Sequence, residues 1–425
     1  MMPAAATMTW FWQAWLAAVV FIFPIPHTIA LRNLVLLSGL LALLATWRGA
    51  ARPLLPVALK PAAWALGATT LWLLLHSLAV APAPTVALDN LRGDWIVPLL
   101  TAVLAAFAAA RTGPRQAIGI AVVALVAHMI WALGWMWTTT DWSGSWPAVR
   151  VPFGDRDFQS SLNGFLTALL LAERFAVLSV GSVGAIFTAQ LAWTALAVSL
   201  VADIALRTRN GTIVSIVLIF AATLWMARRK PRYLLLLLAV TMFGSASVAL
   251  DPRWSGLKES LVVGWVSPSL HWLSNEQAPV PPTPSGAALE RSAYVRAAWA
   301  HQAVLAIGEY PLGLGFGRDG FGRAVEAKFG SKGLVSSHSG WLDFALGVGL
   351  PGLALLLLTA GLAIRGGWRQ FRQHGDAAGL MLGFLVGGYL LRCLLDGHLS
   401  GWRLGLFAFL CGVLVAAMKT PPRQT

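Results

Sequence analysis

The sequence predicts an all-α polytopic membrane protein with about twelve transmembrane helices. Of its 425 residues, 57% are hydrophobic and only 11% are charged, whereas soluble proteins carry about 25% charged residues. The apolar residues come in blocks of about 20, the length at which a helix crosses ~30 Å of hydrocarbon. Basic residues concentrate in alternate short joints, as they do in membrane proteins. The net charge of +14 therefore reflects topology, and no nucleic-acid partner is expected.

Twelve apolar segments are predicted, separated by joints that contain turn residues such as Pro53, Pro82 and Pro231. In chain order they cover approximately residues 10–30, 33–47, 61–80, 94–110, 116–137, 160–177, 180–206, 211–227, 233–250, 340–364, 377–395 and 402–418. The first is interpreted as a retained helix rather than a signal peptide, because no basic stretch precedes it. The two cysteines, Cys393 and Cys411, form no disulfide framework or metal-ligand spacing.

The chain is predicted to divide into three parts. Residues 1–250 hold nine transmembrane helices, 251–339 form a large outer loop with surface helices, and 340–425 hold three helices and a short cytoplasmic tail. With the N-terminus in the cytoplasm, 15 of the 31 basic residues fall on the inner side. Only two of the 17 acidic residues, Glu173 and Asp376, fall there with them. This distribution obeys the positive-inside rule, so both termini are expected to be cytoplasmic.

The outer loop 251–339 is far longer than an ordinary connection, and such loops are usually functional or disordered. Its segment 276–286 is rich in proline and is expected to be extended. Residues 287–308 have the pattern of an amphipathic helix lying along the membrane surface. The outer face is therefore where chemistry is expected.

Two short motifs have competing interpretations. Residues 315–320 satisfy G-x-G-x-x-G, but a dinucleotide site would need a preceding strand and a parallel sheet. A glycine-rich turn is the favoured interpretation. Asp155 and Asp157 form D-x-D in an outer joint and could hold a divalent cation. The alternative is that they pair with the neighbouring arginine, and this interpretation is preferred.

Arg207 and Arg209 lie at an outer joint, against the general charge bias. Arginine can grip phosphate through two parallel hydrogen bonds. The alternative is an arginine that reaches toward water with Asp203 as its partner. The residues alone leave these two interpretations open.

His338 lies just before the tenth predicted helix, where an imidazole could act as a base near neutral pH. Four other histidines are also expected on the outer side, and composition does not rank the five. These four are His27, His271, His301 and His398.

Three stretches resemble the O-antigen ligase family. His338-Ser339, nine residues, then Gly349-Leu350-Pro351-Gly352 fits the family pattern His-(Asn/Ser/Gln)-x9-Gly-x-x-(Gly/Thr/Tyr). Residues 209–213 resemble its Arg-x3-Leu element, with Ile213 in place of leucine. Arg296 and Trp299, followed by Pro-Leu-Gly-Leu-Gly at 311–315, resemble a further element of the ligase and polymerase superfamily.

The resemblance implies an enzyme of the Gram-negative inner membrane, similar to metal-independent, inverting glycosyltransferases of the GT-C type. Such an enzyme moves O-antigen from undecaprenyl diphosphate to a sugar hydroxyl of lipid A–core, among membrane lipids and without a cofactor, at a periplasmic site. His338 would be the general base. Arg209, with Arg207, Arg291 or Arg296, would stabilise the diphosphate. Arg291 and Arg296 lie about 140° apart around a helix, so both are not expected to reach one phosphate.

Other functions fit the same plan. An O-antigen polymerase or a protein O-oligosaccharide ligase would have a similar outline. A lipid-linked oligosaccharide flippase or other transporter would be expected to carry charged groups within the membrane and related repeats. The sequence has no clear repeat, and its intramembrane histidines, His76 and His128, are interpreted as packed polar groups.

Overall fold

A computed structural model describes residues 4–47, 52–143, 149–181, 185–235, 256–266 and 289–418, with a few single positions between 237 and 286. The described residues are helical and contain no strand. The helices are α1 Ala4–Ile22, α2 Ile29–Ala45, α3 Lys60–Ala79, α4 Pro84–Leu91, α5 Val97–Thr112, α6 Pro114–Thr139, α7 Arg156–Val180, α8 Ala189–Leu206, α9 Arg209–Arg229, α10 Leu257–Val266, α11 Arg291–Glu309, α12 Gly320–Phe329, α13 Gly340–His374, α14 Ala377–Leu395 and α15 Gly401–Ala417.

The predicted all-α membrane class is confirmed. Within the described residues, eight helices are long and apolar enough to cross a membrane, and α1, α2 and α15 contribute shorter apolar stretches. Half of the ninth predicted segment, 233–250, lies outside the described residues, as does most of the proline-rich stretch 276–286. The division into three parts and the orientation of the chain stay predictions.

Several predicted boundaries were wrong for identifiable reasons. A π-helical turn at Arg92–Ile96 joins α4 to α5, so that helix begins at Pro84 instead of residue 94. Polar residues in its first turns hid this start. Gly181 ends α7 with a φ of 88°, and α8 begins only at Ala189, not at 180.

Helix α13 departs most from its predicted form. It continues to His374 instead of ending near 364, and Gly349 breaks it with φ 77° and ψ 171°. An L side chain rarely adopts this conformation. A Cβ at Gly349 would also come within 2.6 Å of the carbonyl carbon of Leu312. The break therefore depends on glycine and creates a short half-helix, residues 340–348.

The segment 311–315 satisfies the backbone groups that this break exposes. Leu314 N and Gly315 N donate to the carbonyl oxygens of Leu346 (2.7 Å) and Gly347 (2.8 Å), and Leu350 N donates to Pro311 O (2.9 Å). An unpaired peptide group inside a bilayer costs free energy. These hydrogen bonds therefore join the segment 311–315 and the break at Gly349 into one structural unit.

Neighbouring side chains complete the same unit. Trp72 Nε1 donates to Val348 O at 2.9 Å, and His76 Nε2 lies 2.6 Å from Leu312 O. Elsewhere in the fold, His128 Nε2 lies 3.0 Å from the carbonyl oxygen of Phe21. The interpretation of His76 and His128 as packed polar groups agrees with these contacts, because both side chains are fully buried.

Candidate active site

The turn that carries His338 is held rigidly at the start of α13. Ser337 N donates to Asp343 Oδ1 at 2.8 Å, and His338 N donates to Ser336 Oγ at 3.3 Å. Gly340 N donates to the carbonyl oxygen of Asp396 at 3.1 Å. His338 itself has a φ of 59°, an uncommon backbone conformation for a non-glycine residue. The surrounding hydrogen bonds keep it there.

The imidazole of His338 stacks on Trp299 of α11. The ring centroids are 5.2 Å apart and the planes differ by only 7°. Trp299 Nε1 donates to Trp272 O at 3.3 Å, which fixes the indole. This stack orients the histidine ring toward the cavity described next.

A cavity of about 630 Å³ brings together Arg209, Arg296 and His338. These residues come from the start of α9, the middle of α11 and the turn before α13. Helix α10 contributes a group of apolar residues to the lining, namely Leu257, Leu261, Val262, Trp265 and Val266. The described residues that line this His338 cavity include no carboxylate.

The two arginines are positioned by acids. Arg209 Nη2 donates to Glu290 Oε1 at 2.9 Å, while Glu290 Oε2 accepts from Ala293 N and so caps α11. Arg296 Nη1 lies 3.6 Å from Asp396 Oδ1. A guanidinium carries five donors, so it can hold a carboxylate and grip a second oxyanion at once.

The other two predicted arginines lie elsewhere. Arg207 ends α8 in a left-handed conformation, and Arg291 is the first residue of α11. Neither is among the described residues that line the His338 cavity. Of Arg291 and Arg296, the structure thus brings only Arg296 to the cavity wall. Asp203, considered above as an arginine partner, accepts a hydrogen bond from Ser215.

A buried charge network below the cavity was missed by the sequence reasoning. Arg392 and Asp396, four residues apart on α14, pair at 2.6 Å, and each side chain is about 5% exposed. Asn210 Nδ2 donates to Asp396 Oδ1 at 2.8 Å. The i, i+4 spacing of opposite charges at the end of an apolar run was the available signal, since charges there are normally paired.

The D-x-D carboxylates take part in ion pairs. Asp155 caps α7 by accepting from Asp157 N and Phe158 N. Its Oδ2 also lies 3.5 Å from Arg403, and Asp157 Oδ1 lies 3.6 Å from Arg392. Among the described residues, no group of three or more His, Cys, Asp or Glu has the geometry of a metal site.

Electrostatics favour the neutral form of His338. Burial lowers the pKa of its imidazole, and the nearby positive charge of Arg296 lowers this pKa further, while Asp157 opposes the change. A histidine with a lowered pKa is neutral, and hence basic, at neutral pH. The cavity therefore combines a neutral base with two cations.

The other four histidines that were expected on the outer side have different environments or lie outside the described residues. His398 is buried, and burial together with Arg403 and Arg392 lowers its pKa well below the usual value. His301 stacks on Trp265 with centroids 4.9 Å apart. His27 lies in the turn after α1, and His271 is outside the described residues. Of the described histidines, His338 alone lines the cavity that holds the arginines.

Comparison with known proteins supplies one match. Residues 194–357 match the family model described as O-antigen ligase. This range begins in α8 and ends in α13, so it contains Arg209, Arg296 and His338. No curated protein matches the chain.

Proposed function

We propose that the protein transfers O-antigen from undecaprenyl diphosphate to a sugar hydroxyl of lipid A–core, a function supported by the match of residues 194–357 to the family model described as O-antigen ligase. The family supports an O-antigen ligase or polymerase type of activity in a multi-pass membrane protein. The finer assignment rests on one observation, the convergence of Arg209, Arg296 and His338 on one cavity.

The lining of this cavity suits a lipid-linked diphosphate. The lining contains two arginines and the apolar residues of α10, so anionic phosphates and a prenyl chain each find a matching surface. Arginine grips phosphate oxygens through two parallel hydrogen bonds. No ATP is available outside the inner membrane, and the diphosphate leaving group carries the activation itself.

The proposed chemistry is a single displacement at the anomeric carbon. A lone pair of the acceptor hydroxyl oxygen forms the new C–O bond, and His338 takes the hydroxyl proton on an imidazole nitrogen. The bond to the lipid diphosphate breaks, and its electron pair stays on the leaving phosphate oxygen. Arg209 and Arg296 stabilise the charge that develops there. One displacement inverts the anomeric configuration.

Deleting the gene tests the assignment directly. Loss of a ligase should remove the surface glycan from lipopolysaccharide while lipid-linked polymer accumulates outside the membrane. Loss of a polymerase would instead leave single repeats on the core. Loss of a flippase would strand the donor on the inner face, and either of these two outcomes would contradict the proposal.

A further inference from the structure

A second cavity, of about 430 Å³, lies on the other side of the His338 turn. Ser336 and Gly340 face this second cavity, whereas the three residues between them face the His338 cavity. One backbone segment therefore separates the two.

The lining of the second cavity differs in charge from that of the first. It includes the carboxylates of Asp94, Asp319 and Asp343, the amide of Asn90 and the serines Ser336 and Ser400. Its one arginine, Arg318, has 68% of its side chain exposed and lies 3.9 Å from Asp94 Oδ2, while Asp319 pairs with Arg323 at 2.9 Å. Carboxylates accept hydrogen bonds from hydroxyl groups. The two cavities thus suit different substrates.

Aromatic rings complete the second cavity. Phe316 and Phe344 both line it and meet edge to face, with ring centroids 6.1 Å apart. A pocket that combines apolar faces with a few polar groups is typical of small-molecule sites. A pyranose presents both surfaces, since its C–H face is apolar and its edge carries hydroxyl groups.

The glycine-rich turn 315–320, which has no dinucleotide role, forms one wall of this cavity. Gly317 has a φ of 155°, and a Cβ there would lie 2.5 Å from Asn90 Nδ2 and 2.8 Å from Asp319 Oδ1. Glycine at 317 therefore leaves room for this amide and this carboxylate beside the backbone of the turn. Asn90 also donates to Phe316 O at 3.2 Å, which ties α4 to the turn.

We propose that the second cavity binds the sugar end of the acceptor and presents its hydroxyl over the turn 336–340 to His338. This inference rests on the proposed function. The positively charged His338 cavity then holds the donor diphosphate, and the carboxylate-lined cavity holds a hydroxyl-rich ring. The two substrates then lie on opposite sides of the turn that carries the base.

Blocking the second cavity tests the inference. Val86 lies on α4, lines the cavity and is 48% exposed, so Val86→Trp fills space without entering the core. Thr85 is exposed on the same helix and does not line the cavity, which makes Thr85→Trp the matched control. Both variants should melt at the wild-type temperature.

Binding is measured without turnover, with purified lipid A–core in detergent as the probe and lipid-linked glycan in a parallel titration. Val86→Trp should weaken acceptor binding at least tenfold, about 1.4 kcal/mol, and leave donor binding within twofold. Thr85→Trp should match wild type for both ligands. His338→Ala should still bind the acceptor.

Each other outcome is decisive. Equal acceptor binding by Val86→Trp and wild type would overturn the assignment of this cavity, even if wild type transfers glycan normally. Weakened donor binding in Val86→Trp would mean that the cavity holds the donor. Wild type that binds no lipid A–core would overturn both this inference and the proposed function.

Discussion

Replacing His338 with alanine should lower the rate of glycan transfer by about 10²–10⁴-fold, the usual contribution of a general base. This loss corresponds to about 3–5 kcal/mol of transition-state stabilisation. Donor affinity should stay near wild type, because the diphosphate is assigned to Arg209 and Arg296 on the cavity wall. The substitution also removes the stacking partner of Trp299, so a melting temperature is needed for comparison.

The pH dependence gives the sharper test. Burial, followed by the charge of Arg296, lowers the pKa of His338 below its usual value near 6.5. His338 therefore stays neutral as the pH falls to about 6.5. The rate of glycan transfer should drop only at lower pH. Replacing Arg296 with glutamine removes a positive charge, raises this pKa and should move the acid limb to higher pH. Arg296→Lys keeps the charge and should leave the limb close to its wild-type position.

Single-turnover transfer by purified protein in vesicles, measured from acid to neutral pH at saturating donor and acceptor, provides these rates. Donor binding is measured separately on His338→Ala. The acid limb should vanish in that variant. A wild-type rate that rises toward acid, together with weakened donor binding in His338→Ala, would refute the general-base assignment and make His338 a cationic phosphate ligand.

Four further results are expected. Arg209→Ala should remove most transfer activity at normal expression. Arg209→Lys should keep only part of the activity, because an ammonium lacks the planar fork of the guanidinium group. Full activity in Arg209→Ala would mean that Arg209 has only a structural role through its ion pair with Glu290. Transfer should continue in excess chelator, whereas a loss reversed by Mg²⁺ or Mn²⁺ would indicate a metal site. Gly349→Ala should destabilise the protein by about 1–3 kcal/mol, read as a lower melting temperature, since its Cβ would collide with Leu312. A reporter fused after Ala287 should behave as periplasmic, and a cytoplasmic signal would overturn the orientation.

The class of the fold could be predicted because apolar length is a local property of the chain. The fourth predicted segment started ten residues late, since Asp89, Asn90 and Asp94 lower the hydropathy of a turn that is nevertheless helical. The break at Gly349 could not be foreseen either. It depends on hydrogen bonds from residues 311–315, and partners separated by more than 30 residues leave no periodic signal.

The candidate site was predictable only in part. His338, Arg209 and Arg296 belong to spaced motifs, and each lines the cavity. Glu290 and Asp396, which orient the two arginines, belong to no motif and were not singled out. Their roles arise from the packing of α9, α11 and α14, so only the three-dimensional arrangement shows them.

The broken helix gives the motif a physical length. Nine residues, 340–348, separate the His338-Ser339 pair from Gly349, and at 1.5 Å per residue they span about 13 Å. The helix break at Gly349 packs against Leu312 and is hydrogen-bonded to Pro311 through Leu350 N. The length of the half-helix therefore sets the distance between this contact and the imidazole of His338. Removing one residue would lower His338 by about 1.5 Å and swing it about 100° around the axis. A protein that keeps both the contact at the glycine and the catalytic histidine must therefore keep the number of residues between them, whatever the identity of those residues.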